Sequence, residues 1–548
     1  MRRNTPLLAL IGVAAALVPP QGAAAHPERP SFFPDWRKGT VPTYRTSGPS
    51  RVVCRPDSRE RILGLPDESM RTENLGLLDR CGYQSIQSAV DAASSGDRIL
   101  LLPGVYREPE SRAHPYPEER CKDMFVGRDG AEPGSAAFIL SSGAGSDDPD
   151  DPADDPVAPS YEYQWNCPNS SNLIAIVGDD PDDPDRACDV RCNLQIEGTA
   201  RQSDVLITAD ATKLNVIKAD RADGIYLRNF TVERSDFNNI YVHETNGFRL
   251  DHIKSWYSRE YGFLSFTSDN GVYEDLDAAY AGDSGVYPGA GPEGHCQRYG
   301  IEIRDVDSHD NNLGYSGTAG NGVWVHDSRF HDNAIGMVTD SFAPGHPGQP
   351  QDCAKWEDNA YYSNNADLFN DERDAYCKNT PPRDRDPQKV CPTFQVPVGT
   401  GILIAGGNGN IVRRNRFCDN WRGGVRLLYV PATFRGESDP DKTFDTSNAN
   451  QFTGNVFDER PDGTRDPNGT SFWWDEEGAG NCWAGNRGFQ GAPITSDPAT
   501  LPGCPVGSLF TPGNVAKTLS QASCSTWSPK DNTDPPGCDW FTLPEEPQ

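Results

Sequence analysis

Short apolar and polar runs alternate along this chain and recur at a regular spacing. A nine-residue cassette is read eight times, beginning at Leu227, Leu250, Tyr273, Ile303, Val325, Trp356, Val412 and Phe452. The first two steps are 23 residues each, and the longer steps contain inserted Pro, Gly and Cys segments. A period in this range is typical of a stacked repeat, in which each residue's neighbours lie one rung away.

A second apolar series has the same spacing, at Ile217, Ile240, Phe263 and Val286. Apolar residues at every second position of both series predict two or more short strands per turn, in a solenoid of parallel sheets. Extra residues follow Val286, Ile335, Phe369 and Val425, each time between this second series and the next cassette. This predicts long loops on one arc of the coil, at 287-298, 341-355, 370-400 and 430-450. Insertions gathered on one face commonly build the binding side of a repeat protein.

The segments outside the cassettes predict the ends of the solenoid, which we place at 81-487. Residues 26-80 are Pro-rich and predicted to be irregular, and the next segment predicts a short helix over Ile86 to Ala93 and a strand over Ile99 to Leu102 that cap the coil. The Asp- and Pro-rich stretch at about 109-166 predicts a loop excursion, because like charges and prolines oppose a packed core. The tail, 488-548, is predicted to be tied by disulfides.

These segments resemble the right-handed parallel β-helix proteins of the pectin-lyase-like superfamily, over roughly Cys81 to Asn486. The resemblance implies an all-β fold, a right-handed single-stranded parallel β-helix with an N-terminal cap and a disulfide-tied C-terminal tail. Leu250-Asp251-His252 is similar to the Asp-His element of pectate lyases, whereas the GHG element of polygalacturonases and the DPH element of alginate epimerases are missing. The superfamily also includes adhesins, so the resemblance implies no single activity.

The N-terminus and the cysteines predict an exported protein. Arg2 and Arg3, an apolar run from Leu7 to Val18 and the alanines up to Ala25 match a secretory signal peptide over 1-25. No later stretch approaches the roughly 20 apolar residues of a membrane span. Fifteen cysteines in an exported chain predict disulfides and leave at least one thiol unpaired, with local bridges expected for Cys188 with Cys192 and Cys524 with Cys538. We therefore expect a secreted, extracellular protein.

The net charge of -30 argues against partners that need clustered positive charge. It excludes a nucleic-acid-binding surface and docking on anionic lipid, and it favours solubility, cation binding or a neutral partner. No nucleotide loop, nucleophilic-serine motif or HExxH motif occurs in the chain.

Three positions of the cassette are predicted to face the core or form turns. Position one is apolar in all eight copies, position four becomes asparagine in the later copies, and position six gives an aromatic stack over Phe330, Tyr361, Phe417 and Phe457. An inward asparagine ladder hydrogen-bonds neighbouring rungs and needs no catalytic role. The repeated His-Asp-Asn triplet suggests a metal or acid-base motif, but its third copy is Cys418-Asp419-Asn420, which favours a turn.

Position two alternates outward and carries the candidate catalytic residues, Glu274, Arg304, His326 and Glu357. Adjacent rungs lie about 4.8 Å apart, so these groups are expected to touch. An arginine clamps a sugar carboxylate while a histidine or glutamate exchanges a proton. Candidate substrate-binding residues are Arg413 and two tyrosines expected to face outward, Tyr241 and Tyr287.

Position three adds four consecutive aspartates, the candidate calcium ligands Asp275, Asp305, Asp327 and Asp358. Carboxylates on adjacent rungs repel one another and need compensation, from Arg304 and Arg413, from turn amides, or from a cation such as calcium. No cofactor is required by the pattern beyond this candidate. A solvated polar ladder with cross-rung pairs explains the same residues equally well.

Two functional hypotheses follow. The first is a secreted polysaccharide-binding and polysaccharide-modifying protein, with lyase or C5-epimerase chemistry on a uronate-containing glycan favoured over hydrolysis, because base and arginine occur together. The alternative is a non-catalytic extracellular surface or matrix β-helix protein whose polar ladder solvates the coil. Whether the protein is an enzyme, and its oligomeric state, stay open at this point.

Overall fold

The computed structural model describes residues 31–108, 125–126, 158–179, 188–342, 346–511, 513–524 and 536–548. The predicted signal peptide, 1-25, and most of the acidic loop predicted at about 109-166 lie outside these residues. In the part that is described, no helix is long and apolar enough to cross a membrane.

The chain winds into a right-handed coil with up to three strands per turn, and the strands of successive turns pair in parallel. The strands of face A are Ser50–Val53, Cys81–Tyr83, Arg98–Leu101, Gln195–Gly198, Asp269–Glu274, Ile301–Arg304, Val323–His326, Lys355–Glu357, Ile411–Arg413, Gln451–Thr453 and Cys482–Ala484. Those of face B are Gly104–Tyr106, Val205–Thr208, Asp277–Ala279, Asp307–His309, Arg329–His331, Ala360–Tyr362, Arg416–Cys418 and Val456–Phe457. Two longer strands bend from face A into face B, Ile225–Glu233 and Asn246–Trp256.

Face C forms a separate sheet behind the other two. Its strands are Asn172–Val177, Asn215–Asp220, Asn238–His243, Phe263–Phe266, Ser284–Gly289, Leu313–Tyr315, Ile335–Asp340, Thr400–Ala405, Gly423–Leu428, Phe472–Trp474 and Ser496–Asp497. Together the three faces confirm the predicted parallel β-helix. A short antiparallel pair, Phe125–Val126 with Ala158–Pro159, lies outside the coil.

The cassette register holds over all eight copies. Leu250 pairs with both Leu227 and Tyr273, and the same position pairs onward through Val412 and Phe452. Position one is fully buried in every copy. Because a one-residue slip exchanges the two sides of a strand, this burial pattern selects the observed pairing.

The core is ordered by the side chains predicted to face inward. Phe330, Tyr361, Phe417 and Phe457 stack with ring centroids 4.9–5.2 Å apart. Beside them runs the asparagine ladder at the bend between faces A and B, Asn359, Asn415, Asn455 and Asn486, in which each amide oxygen accepts from the backbone N–H one rung before. The sequence prediction of a structural asparagine ladder is thus correct.

Two further asparagine ladders line the other bends. The asparagines of the His-Asp-Asn triplets, Asn311 and Asn333, belong to the one between faces B and C, and each is fully buried. The aspartates before them, Asp310 and Asp332, have φ of 55°. The triplet therefore builds a left-handed turn, as predicted, because Asp and Asn tolerate this conformation better than most residues.

The two ends of the coil are closed by more regular structure than expected. Residues 26-80 were predicted to be irregular, yet they contain the strand Ser50–Val53 and the helices Ser58–Leu63 and Glu68–Leu78. The predicted capping helix is present as Ile86–Asp91, with three residues in the main core. The helix pair arises because Leu65, Ile62 and Met70 pack on a small apolar cluster below the first rung.

The remaining helices lie outside the strands of the coil, at Tyr161–Asn166, Asp371–Asn379 and Val515–Cys524. The 3-10 turns are Trp36–Lys38, Gln202–Asp204, Pro382–Asp384, Ala432–Arg435 and Phe489–Gly491. The disulfides include both local bridges predicted, Cys188–Cys192 and Cys524–Cys538, and the latter with Cys482–Cys504 ties the tail. Among the described cysteines, Cys418 is unpaired and buried.

One loop lies at a different corner from the one predicted. The second apolar series was extended through Phe369, but the residue in register with Met337 on face C is Ile402. The long segment between Tyr362 and Thr400 therefore connects face B to face C, whereas the insertions after Gly289, Asp340 and Leu428 connect face C to face A. The error arose because Phe369 is apolar for another reason, its contact with Phe541 of the tail.

Candidate functional site

The outer side of face A brings two of the four candidate catalytic residues into contact. Arg304 donates from Nη2 to Glu274 Oε1 at 2.7 Å, and Arg249 donates from Nε to Glu274 Oε2 at 3.0 Å. Burial alone would raise the pKa of Glu274, but the hydrogen bonds from the two arginines hold it below its ordinary value. Glu274 is thus an ionised carboxylate clamped between two cations, a poor proton donor at neutral pH.

His326 joins this network through a residue that the sequence prediction did not include. Its Nε2 lies 3.1 Å from Glu302 Oε1, which also accepts from Arg304, and its Nδ1 lies 2.7 Å from Asp327 Oδ2. The ring stacks on Trp324 at 4.2 Å between centroids. With both ring nitrogens and one ring face engaged, His326 is a fixed member of an ion-pair ladder.

Glu357 is paired with its own set of cations. Lys355 Nζ lies 2.7 Å from Oε1, and Arg413 Nε and Arg414 Nη2 donate to Oε2. Burial would raise its pKa, yet the hydrogen bonds from Lys355 and Arg413 lower it to about 2. The candidate substrate-binding residue Arg413 is therefore engaged with Glu357 rather than presented to a ligand.

The four candidate calcium ligands serve a bend of the backbone. Asp275, Asp305, Asp327 and Asp358 have φ of 52°, 53°, 52° and 58°, and the same cassette position is left-handed in every other copy as well. Asp327 pairs with His326 and Asp358 pairs with Arg414. Among the described residues, these four carboxylates do not form a group with metal-ligand spacing.

The two candidate stacking tyrosines lie on face C and are buried. Tyr241 and Tyr287 are each 3% exposed and belong to an apolar cluster with Tyr261 and Phe266. Tyr287 Oη lies 3.3 Å from His346 Nε2. A platform for sugar rings needs exposed ring faces, so the prediction of a stacking platform at these two tyrosines is wrong. The sequence pattern indicated that both side chains point outward from the coil, but it did not show that face C is covered.

A different group on face A is arranged for proton transfer. His252 Nδ1 is hydrogen-bonded to Asp251, whose side chain is 4% exposed and also accepts from Tyr226 Oη and from Arg228 Nη1, the latter at 2.9 Å. The His252 side chain is 45% exposed, and among the described residues its Nε2 has no hydrogen-bond partner. A buried carboxylate that fixes one ring nitrogen leaves the other poised to take up a proton.

The same group is the one set of described residues with metal-ligand spacing. One ligand atom from each of Asp251, His252 and Asp275 lies within 4.8 Å of the others. Partial burial raises the pKa of Asp275, against the opposing charge of His252. A set containing a histidine nitrogen suits a transition metal better than calcium, which prefers oxygen ligands, so only Asp275 of the predicted calcium ligands fits a cation site.

Exposed aromatic rings accompany the polar row. Tyr44 is 42% exposed and lies against Tyr226 and Arg228, and Trp36 is 44% exposed beside Arg298. Both come from the N-terminal segment, which packs along the corner between faces C and A: Asn246 and Asn270 donate to its carbonyls. Sequence reasoning missed this contribution because nothing in a non-repeating segment indicates where it packs.

Asp251 and His252 were present in the sequence pattern as the Leu-Asp-His element. This element is common in β-helix repeats, so the sequence alone does not distinguish it as a site. The decisive signal, three donors converging on one buried carboxylate, requires Tyr226 and Arg228 of the preceding rung and is visible only in three dimensions.

Comparison with known proteins finds similarity only at the level of solved structures: no family model matches the chain, and no curated protein matches it. One similar structure is the A-module of the mannuronan C-5 epimerase AlgE6 of Azotobacter vinelandii, with 13% identity, a TM-score of 0.31, and coverage of 59% of this chain and 90% of that one. Pectate lyase Pel9A shows 12% identity, a TM-score of 0.32, and coverage of 91% and 90% respectively. The DFA-IIIase of Arthrobacter chlorophenolicus A6 shows 12% identity and a TM-score of 0.34, covering 59% of this chain and 73% of that one. The fold of the present chain rests on its own strand pairing.

Proposed function

We propose that this protein binds a uronate-containing polysaccharide along face A and removes a proton from it with His252, in lyase or C5-epimerase chemistry. The observation that carries the proposal is the Asp251–His252 pair, in which a buried carboxylate orients a half-exposed imidazole. Arg228 and Tyr226, which share the same carboxylate, lie at the base of the site.

The proposed step moves one proton and one electron pair. His252 Nε2 takes the C5 proton of the sugar, and the electrons of the broken C5–H bond are delocalised into the carboxylate of the uronate. A cation beside that carboxylate stabilises the charge that develops. Arg228 is our candidate, because it pairs with Asp251 and its side chain is still 29% exposed. In a lyase reaction the electrons then form the C4–C5 double bond, O4 leaves, and the proton returns to O4 from His252. In an epimerase reaction a water molecule on the opposite side donates a proton to C5, and His252 gives the proton it has taken to the solvent, which neutralises the hydroxide that is left.

The exposed rings of Tyr44 and Trp36 support glycan binding beside this pair. Both rings expose close to half of their surface on the corner that borders face A. Aromatic side chains with one apolar face and one polar end suit sugar rings. An exported location is part of the proposal and is supported by the six disulfides of the described chain, because such bonds persist in oxidising compartments.

The test is a screen of the full-length protein against uronate-containing and neutral polysaccharides, with calcium and with a chelator. Unsaturated products are followed by ultraviolet absorbance, epimerised products by NMR, and hydrolysis by reducing ends. We expect His252→Gln to lower turnover by about 100-fold or more, the usual contribution of a general base. The matched control is His326→Gln, which lies in the same row and is expected to retain activity within a few fold because both its nitrogens are already paired.

The outcome that contradicts the assignment is equally sharp. If His326→Gln abolishes turnover and His252→Gln does not, the proton is transferred at the ladder predicted from sequence and the Asp251–His252 proposal is wrong. Replacement of Asp251 by asparagine distinguishes orientation from mere packing. It should leave glycan retention unchanged while lowering kcat and shifting its pH profile.

A second candidate function is favoured by a different observation. Glu274, Arg304, Glu357 and Arg413 are saturated by ion pairs, as expected for a face that only solvates the coil. The second candidate function is therefore that of a non-catalytic extracellular surface or matrix protein. Glycan retention by the wild-type protein without any product would support it and would refute the catalytic proposal.

A further inference from the structure

A cleft opens at the corner between faces B and C. One strand of face B separates it from the bend that carries His252. We call it the corner cleft; it is lined by Arg234, Tyr257, Arg259 and Tyr280 of the coil and by the overlying loop 382–391. Its volume is about 70 Å³ and its mouth is open to solvent, so it would hold part of a ligand whose remainder lies in water. Nothing in the proposed function uses it.

We propose that the corner cleft binds an oligosaccharide that carries a carboxylate, with a sugar ring against Tyr257 and Tyr280 and its acidic group beside Arg234 and Lys389. This site is distinct from the one proposed around His252. It would hold part of an acidic glycan chain on a second face of the coil.

The aromatic part of the cleft is formed by bulky residues in an unusual conformation. Arg234, Tyr257 and Tyr280 occupy the turn position of successive rungs with φ of 60°, 62° and 61°. Farther along the same corner the position is held by Asp310 and Asp332, whose short side chains suit such turns. Large residues in this conformation cost more conformational energy than the Asp or Asn that usually hold such turns.

The two tyrosines form one continuous surface. Their rings stack with centroids 5.1 Å apart and planes 24° from parallel, and both side chains are half-buried. Adjacent rungs thus present two aromatic rings in a row toward the cleft. This is the kind of surface that the sequence prediction sought at Tyr241 and Tyr287, on a different corner.

The cleft is lined by more positive than negative side chains, although the chain as a whole is negatively charged. Four cations line it, Arg234, Arg259, Arg385 and Lys389, against two carboxylates, Asp236 and Asp386, whereas the whole chain carries a formal charge of -30. A local excess of positive charge in an acidic protein favours an anionic ligand at that place.

Two of these cations form no ion pair with a described residue and could therefore pair with an anionic ligand. Arg234 makes no ion pair with any described residue, and its Nε is buried without a hydrogen-bond partner among them. Lys389 is exposed, its ammonium lies 4.9 Å from the centre of the Tyr376 ring, and within the described chain it forms no ion pair. A carboxylate between them would gain charge-assisted hydrogen bonds.

The loop over the cleft is held in place. The disulfide Cys377–Cys391 closes it, Arg385 donates to the carbonyls of Thr380 and Cys377, and the backbone of Thr393 donates to Gly282. A Cβ on Gly282 would lie 2.0 Å from the carbonyl oxygen of Arg259 in the coil and 2.8 Å from that of Cys391 in the loop, so the close approach of coil and loop depends on glycine. A pre-ordered wall lowers the entropy lost on binding.

The test measures binding of a galacturonate trisaccharide and of maltotriose to the intact protein carrying His252→Gln, which prevents turnover. We expect the acidic trisaccharide to bind. Its affinity should fall about tenfold in Lys389→Gln or in Arg234→Gln, the usual effect of losing one charge-assisted contact. Tyr280→Asn should abolish binding at this site without loss of stability, because asparagine accepts the left-handed backbone. Arg329→Gln, which removes an exposed cation of face B, is the matched control and should bind as the parent does.

The number of ligands bound separates this proposal from the one above. If both sites exist, Tyr280→Asn reduces the stoichiometry from two to one; if only the corner cleft binds, it reduces it from one to none. An unchanged stoichiometry in Tyr280→Asn, or equal affinity for maltotriose, would overturn the inference whatever the behaviour of face A.

Discussion

The asparagine ladder at the first bend makes a quantitative prediction about stability. Asn415 is fully buried, and its Oδ1 accepts from the backbone N–H of Asn359 at 3.0 Å. Its Nδ2 donates to the carbonyl of Trp356 at 2.9 Å and to Asn455 Oδ1 at 3.2 Å. Asn415→Ala therefore removes partners from at least two buried backbone groups in one rung.

The cost follows from the number of groups left unpaired. A buried polar group without a partner costs about 1–3 kcal/mol, so we expect Asn415→Ala to lower the free energy of unfolding by about 3–5 kcal/mol. Asn415→Ser should cost less, because Ser328 occupies the equivalent position two copies earlier and its hydroxyl accepts from the N–H of Val306 at 3.1 Å. The control is Asn379→Ala on an exposed helix end, expected to change stability by at most about 0.5 kcal/mol.

Two measurements check the prediction. Equilibrium denaturation followed by circular dichroism gives the total change, and hydrogen exchange of the Asn359 amide reports the bond that is lost. If Asn415→Ala is no less stable than Asn379→Ala, or if the Asn359 amide remains as protected as before, the ladder does not stabilise the bend and the reasoning fails.

Three further outcomes are expected. Asp277, 3.5 Å from Nε2, and Asp310, hydrogen-bonded to Nδ1, raise the pKa of His309 to about 10. Its stabilising contribution is therefore present below pH about 6.5 and disappears as pH rises toward 10. Denaturation across this range should show a loss of about 2–4 kcal/mol that His309→Gln abolishes. Arg304→Gln removes one of the two arginines on Glu274, and the pKa of that carboxyl, followed by carbon NMR, should rise toward its ordinary value rather than stay depressed. Gly282→Val places a Cβ 2.0 Å from the carbonyl oxygen of Arg259 and 2.8 Å from that of Cys391, so it should lower the free energy of unfolding and speed proteolysis of the loop 382–391. A loss of stability with an unchanged cleavage rate would show that the loop does not depend on this contact.

The sequence by itself determined the coil and its register. Period and alternation identified inward positions, so Leu227, Phe330 and Asn415 were placed correctly on rungs separated by long insertions. This succeeded because inside and outside alternate strictly along a strand, and an inward residue must be apolar or satisfy its neighbours on the adjacent rungs.

Outward positions were determined far less completely. The row of Glu274, Arg304, His326 and Glu357 was placed on face A, yet the sequence did not show which charges neutralise one another. Glu302 and Lys355, each two residues earlier on the same outward side, pair with His326 and Glu357, which a ligand would need unpaired. An outward residue is constrained by whatever covers it, and Tyr241 on covered face C and Tyr257 on an open corner have the same chemistry in sequence.

What only the tertiary structure decided is where the coil is open and which polar groups converge. Asp251 gains its three donors from two rungs, and the corner cleft exists because a loop assigned to one corner by the sequence pattern folds over another. The repeat dictates rungs through short-range alternation, whereas a site depends on contacts between non-repeating segments and the coil, which carry no periodic signal.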